Sequence, residues 1–314
     1  MTIENYKWIP GQGPDVAALR RMRSHFLKPG VPMGEAWFIS ETRFLWTGLV
    51  DQPLAHFPVE EWENVLWDIS GTGNFGHLEE WDLWFRFLLP ELIEQGNTHP
   101  QLFENLLNAF FNIFDQGITE EYPGFRSDVF NTLPLYLMRP EYWINEEDEI
   151  SKQPLKQALF LKHPSFHHNW NCREVHGEFS AAIFFCLRYL TPEEMTTWVK
   201  SLTEIQDTYW RGQLLIWLVG FMELVSNLSI TPRKFEKNVP QLEWHYSFLS
   251  RAWENGTEFL SSKNIAAFLA EIRARISPEV VLQWVDDFSR NSSLANQLFD
   301  IPDLYFDKIF SQQS

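Results

Sequence analysis

The chain has 314 residues, with 42 acidic against 25 basic side chains and a formal net charge of −17. That balance repels nucleic acid phosphates and anionic membrane surfaces, while it attracts basic partners and favours solubility. Fifteen Trp and 27 Phe are more aromatic bulk than a disordered chain carries, and the two cysteines, Cys172 and Cys186, form no paired framework, as expected in a reducing, cytoplasmic setting.

Residues 1–10 show no apolar run behind a basic cluster, so no signal peptide is read there. Val16, Leu19, Met22 and Phe26 at helical spacing predict a first helix over residues 14–27, stopped by Pro29-Gly30. Arg20, Arg21, Arg23 and Lys28 gather there, and on an acidic protein they read as a solvated face or as internal ion-pair partners. Residues 35–50 fit a helix or a short hairpin equally well. A helix opens at Pro58, and a second over residues 78–93 carries Trp81, Trp84, Phe85, Leu88 and Leu92 on one side, with Pro90 expected to bend it. Pro100 opens a helix ending at Gly117, residues 125–138 give a poorer one interrupted by Pro134, and Pro140 begins another. The acidic run at 146–149 and the prolines at 154 and 164 suggest an insertion or seam over 145–175. Helices are then predicted over 175–190, 264–276 and 292–299, with an apolar tail at 304–310. Residues 214–225 form the most apolar run, too short for a bilayer, and read as a buried helix.

Three stretches share a beginning: Thr191-Pro192, Thr231-Pro232 and Ser277-Pro278. A hydroxyl residue caps a helix by accepting from a free backbone N–H, and proline suits the first helical position because its missing N–H costs nothing there. The prolines lie 40 and 46 residues apart, close to the period of HEAT and armadillo helix pairs. Adding Pro58, Pro100 and Pro140 extends the series at intervals of 42, 40 and 52. Aligning the caps at Thr191 and Ser277 matches Ile183 with Leu269, Cys186 with Ile272 and Leu190 with Ile276. The expected fold is therefore all-α, a HEAT-like superhelix of antiparallel helix pairs forming one elongated domain over 1–314, with a less regular N-terminal portion. A compact, non-repeating helical bundle is the alternative.

Trp67, Gly71-Thr72-Gly73 and the run Asp82-Leu83-Trp84-Phe85-Arg86-Phe87-Leu88-Leu89-Pro90-Glu91-Leu92-Ile93-Glu94 resemble an arrangement in uncharacterised bacterial helical-repeat proteins of HEAT-like build. The resemblance implies a bacterial, cytoplasmic, all-helical protein. It implies no activity and no functional residue.

Chemistry concentrates in residues 163–178, which hold four of the nine histidines and a cysteine. His163 with His167, and Cys172 with His176, stand four apart, the spacing at which helical side chains share a face, and zinc takes imidazole and thiolate ligands. Pro164 opposes a regular helix there, and neither a Cys-x-x-Cys nor a His-Glu-x-x-His pattern accompanies them. An ordinary polar loop explains the same residues. Gly71, Gly73 and Gly76 spell the dinucleotide fingerprint, yet a helix precedes them where the mechanism needs a strand. The chain carries neither a Gly-x-Ser-x-Gly elbow nor a Walker loop. The pairs Asp286-Asp287 and Glu60-Glu61 read as solvated faces and first-turn charges. Most aromatics at helical spacing belong to a core, and the remainder serve as binding anchors. Trp244, His245, Tyr246, Trp253 and Glu254, gathered in one short stretch, are the candidate anchors.

Three functions follow as expectations. The leading one is a non-enzymatic interaction protein without cofactor, holding a basic protein or peptide in an acidic, aromatic groove as an adaptor or immunity-type inhibitor, and binding neither nucleic acid nor membrane. The second is a metal-dependent or His-assisted hydrolase using residues 163–178. The third, a helical-repeat nucleic acid enzyme, is opposed by the charge.

Overall fold

The computed structural model describes residues 6–32, 43–58, 61, 78–95, 100–143, 172–173, 177–226, 241–242, 259–298 and 301–310. Among them the protein is all-α, apart from a two-residue parallel pairing of β1 (Cys172–Arg173) with β2 (Gln241–Leu242). The chain divides into two compact units. One comprises Gly13–Leu137, and the other joins Thr2–Gln12 to Met138–Ser314.

In the first unit, α1 (Val16–His25) begins at Asp15, whose carboxylate accepts from the Ala17 N–H at 2.8 Å. Its buried stripe is Ala18, Leu19 and Met22, so of the expected face Leu19 and Met22 are buried, Phe26 is half-buried and Val16 faces out. Helix α2 (Arg43–Asp51) resolves the ambiguous 35–50 block as helix over its second half, while residues 35–42 lie outside the described set. Gly48 is fitted to its place, because a Cβ there would stand 3.2 Å from the Phe57 ring. Helix α3 (Leu78–Gln95) runs on through Pro90 and buries Trp81, Trp84, Phe85, Leu88 and Leu92, while Leu83 faces out. It packs on α1 and on α4 (Pro100–Ile113), and Gly117, at φ 123°, follows α4's last turn.

The poorer helix over 125–138 is two pieces. Helix α5 (Phe125–Phe130) starts from Gly124, whose left-handed φ of 92° suits glycine, and a 3-10 turn covers Leu133–Met138. The break falls at Asn131-Thr132 and not at Pro134. Thr132 donates its hydroxyl back to the Asp128 carbonyl at 2.8 Å, a local bond that competes with helix continuation. Pro134 lies inside the 3-10 turn.

The second unit contains α6 (Pro140–Trp143), α7 (Gly177–Tyr189), α8 (Pro192–Glu204), α9 (Thr208–Ser226), α10 (Ser262–Arg275), α11 (Pro278–Ser289), α12 (Ser292–Gln297) and α13 (Ile301–Ile309). Helix α8 starts with a complete capping box. Thr191 Oγ1 accepts from the Glu194 N–H at 3.4 Å, and the Glu194 carboxylate accepts from the Thr191 N–H at 2.8 Å. Helix α11 starts at Pro278 as expected, but the Ser277 hydroxyl donates to the Glu279 carboxylate at 2.6 Å and makes no cap bond. Helix α9 contains the apolar 214–225 run and is buried along Leu214–Phe221, so it forms the centre of its unit, packed on α11 and α13.

The repeated apolar face is real as burial: Ile183, Cys186, Leu190, Leu269, Ile272 and Ile276 are all buried. Helix α10 packs on both α7 and α8. Buried Asn264 ties it down, donating from Nδ2 to the Leu187 and Leu190 carbonyls at 2.7 and 2.9 Å. Those are among the last carbonyls of α7, which have no partner within their own helix.

Candidate functional site

Trp244, His245, Tyr246, Trp253 and Glu254 lie outside the described residues, as do His163, His167 and His176. Cys172 is described in its backbone alone, at the first position of β1. The glycine motif at 71–76, the Thr231-Pro232 start, most of the 145–175 seam and Glu60 also fall outside.

The one described pairing near the two candidate stretches is the parallel register Cys172 with Gln241 and Arg173 with Leu242. Gln241 precedes Trp244 by three positions, and Cys172 lies within the run 163–178. The pairing joins residues 172–173, within the histidine-rich stretch, to residues 241–242, which precede the aromatic stretch in sequence. Sequence reasoning had treated the two stretches as separate sites. A two-residue pairing leaves no periodicity to detect, so nothing in the sequence announces it.

Among the described residues, two charged clusters contain buried or half-buried carboxylates paired with arginine. In the first unit, Asp128 is buried on α5 and accepts from Arg21 Nε at 3.0 Å and from the Tyr122 hydroxyl at 2.8 Å. His25 stacks on Tyr122, with ring centroids 4.1 Å apart. Burial, then the hydrogen bond to Asp128 and its negative charge, push the Tyr122 phenol well above its ordinary range. Arg23 pairs with Glu91 and Glu94 on α3, and Lys28 donates to the Gln52 carbonyl at 2.8 Å. Two members of the basic cluster, Arg21 and Arg23 on α1, are thus ion-pair partners within the unit, while Lys28 bonds at the surface.

In the second unit, Arg211 on α9 donates to the Asp287 carboxylate at 2.9 Å and to the Gln206 side chain, and its guanidinium stands 5.3 Å from the Trp284 ring centroid. Burial lowers the Arg211 pKa, and the charges of Asp287 and Asp207 act against that shift. Asp207 caps α9 by accepting from the Trp210 N–H at 2.9 Å. The expectation for Asp286-Asp287 therefore splits. Asp286 is exposed beside Arg290, while Asp287 is half-buried and clamps Arg211.

Asp128 and Asp287 are each engaged by a guanidinium, and the Tyr122 phenol beside Asp128 is held neutral. Cys186 is inert. Its thiol is fully buried and burial pushes it well above the thiol range, whereas a nucleophile needs a thiolate. Among the described residues, no group of three or more His, Cys, Asp or Glu stands where it could hold a metal ion. Likewise, no described helix is long and apolar enough to cross a membrane.

Residues Tyr6 and Trp8 escaped the sequence reading. Both are buried in the second unit, where the Trp8 indole donates to the Tyr6 hydroxyl at 2.8 Å and the Trp8 backbone N–H donates to Ser201 Oγ at 2.8 Å. Two large aromatics one residue apart in a polar stretch were the available signal. No family model, curated protein or solved structure matches the chain.

Proposed function

We propose that the chain is a non-enzymatic interaction protein, an adaptor or immunity-type inhibitor acting in the cytoplasm, that holds a basic protein or peptide. The binding residues in this reading are Trp244, His245, Tyr246, Trp253 and Glu254. The observation that supports this reading is the pairing of residues 172–173 with 241–242, just ahead of Trp244 in sequence, on a chain whose net charge of −17 favours a cationic ligand. Trp and Tyr suit such a surface because they supply contact area at low entropic cost.

The finer architecture is a proposal too. The proline-led starts of α8 and α11 support HEAT-like helix pairs. The packing of α10 on α8 does not belong to a regular array, in which each pair touches only its neighbours and the pair containing α9 would intervene. We therefore favour helix pairs closed into a bundle over an open superhelix in the second unit.

The test is capture of a partner from the native host's lysate at low salt, followed by binding to the purified partner. Exposed charge attraction is screened over about 8 Å at physiological ionic strength, so affinity should fall as salt rises. Recovery of nucleotides or small metabolites alone would reject the reading. A second reading is a metal-dependent or His-assisted hydrolase built on His163, His167, Cys172 and His176, residue types that suit zinc. Zinc, iron and manganese all far below stoichiometric in untagged protein would reject its metal form.

A further inference from the structure

The first residues of the chain reach the second unit without belonging to the first, since Thr2–Gln12 clusters with Met138–Ser314 while Gly13 opens the other unit. Their seat is specific. Trp8 meets Trp198 of α8 and Trp210 of α9 edge-on, at centroid distances of 5.6 and 5.9 Å. Its backbone N–H is read by Ser201, and the Tyr6 hydroxyl stands 3.8 Å from Cys186 Sγ of α7. Lys7, between the two buried rings, faces out. The segment's described residues, 6–12, form no helix or strand, and they are held by the Tyr6 and Trp8 side chains and the Trp8 N–H in a slot made by α7, α8 and α9.

The exit from this slot is built to pivot. Gly11 and Gly13 have φ of 84° and 64°, conformations that glycine adopts without strain, and Gln12 between them is exposed. An element that buries aromatic anchors and leaves through such a joint can be exchanged between identical chains at low cost, because every contact in the slot is reproduced and only the joint changes.

We propose that this slot is a docking site for an aromatic–basic–aromatic segment, filled here by the chain's own Tyr6-Lys7-Trp8, and that the same segment of a second copy can fill it in trans. This goes beyond the partner reading and does not depend on it.

The experiment uses the full chain with a protease site inserted at Gln12. After cutting, a fluorescent peptide covering residues 2–12 is added. The peptide should enter the cut chain with a saturable rise in anisotropy, compete with its unlabelled form, and bind at least about 100-fold more weakly when it carries Trp8→Ala. The proposal is overturned if the cut segment never exchanges, if the Trp8→Ala peptide binds equally well, or if release of the segment abolishes the helical circular dichroism signal. Uncut protein refolded from urea at high concentration should contain a dimer fraction absent at low concentration. A product that stays monomeric at both would overturn the trans occupancy.

Discussion

Replacing Asp128 with alanine is a sharp test of how the first unit is held together. The carboxylate is 4% exposed and receives donors from two side chains, Arg21 and Tyr122. The Arg21 side chain is half exposed and regains water when its partner goes, so that loss is worth only about 0.5–1 kcal/mol. Tyr122 is 5% exposed, and its hydroxyl would be left buried without its carboxylate acceptor, at about 1–3 kcal/mol. The sum predicts a destabilisation of about 1.5–4 kcal/mol. A double-mutant cycle isolates the second part: in a Tyr122→Phe background, Asp128→Ala should cost about 1–2 kcal/mol less than in the parent. Urea unfolding followed by circular dichroism reads all four proteins. A single-mutant cost below about 0.5 kcal/mol, or a cycle with no coupling, would refute the reasoning.

Thr191→Ala removes half of the capping box on α8 and should cost about 1 kcal/mol in the same assay, whereas Ser277→Ala, at a start without a side-chain cap bond, should cost much less. Asp287→Ala strands the Arg211 charge, whose side chain is 10% exposed, and should cost about 2–3 kcal/mol, discounted because Asp287 itself is half-buried. Asp286→Ala, at an exposed neighbour, should fall within the error of the measurement. Stability should also fall at alkaline pH. Cys186, Tyr6, Tyr122 and Tyr305 all have folded pKa values raised by burial. Their stabilising effect is complete below the unfolded values of 9.0 for the thiol and 10.0 for the phenols. As pH climbs past those values the unfolded state loses protons that the folded state keeps, and stability declines by up to about 1.4 kcal/mol per pH unit for each group. A flat unfolding midpoint between pH 8.5 and about 10.5 would contradict this.

Much of the helical content was legible because its causes are local. The hydroxyl–proline starts at Thr191 and Ser277 and the apolar stripes of α1, α3 and α9 depend on neighbours within a turn or two. What escaped depends on distant partners. Asn264 reads as an ordinary helix residue until α10 lies against the end of α7, and Asp287 looks like its exposed neighbour until Arg211 reaches it. Tyr6 and Trp8 sit about 190 residues from their partners in sequence, beyond any periodic signal. The proline spacing has a different limit, since regular helix starts constrain where helices begin and leave open which helices touch. The contact of α10 with α8 belongs to that second question. Of the candidate site, the residue types were legible, while the bridge joining residues 172–173 to 241–242 was not.

The central claim is that a basic partner binds at the aromatic stretch near Trp244 and Trp253. Titration calorimetry of the captured partner against the wild-type chain and a Trp244→Ala, Trp253→Ala chain tests it most directly. The double variant should keep its helical circular dichroism signal and bind at least about tenfold more weakly, as expected when two anchors are lost, and wild-type affinity should fall as salt is raised. Unchanged affinity in the folded double variant, or loss of its fold, would contradict the claim.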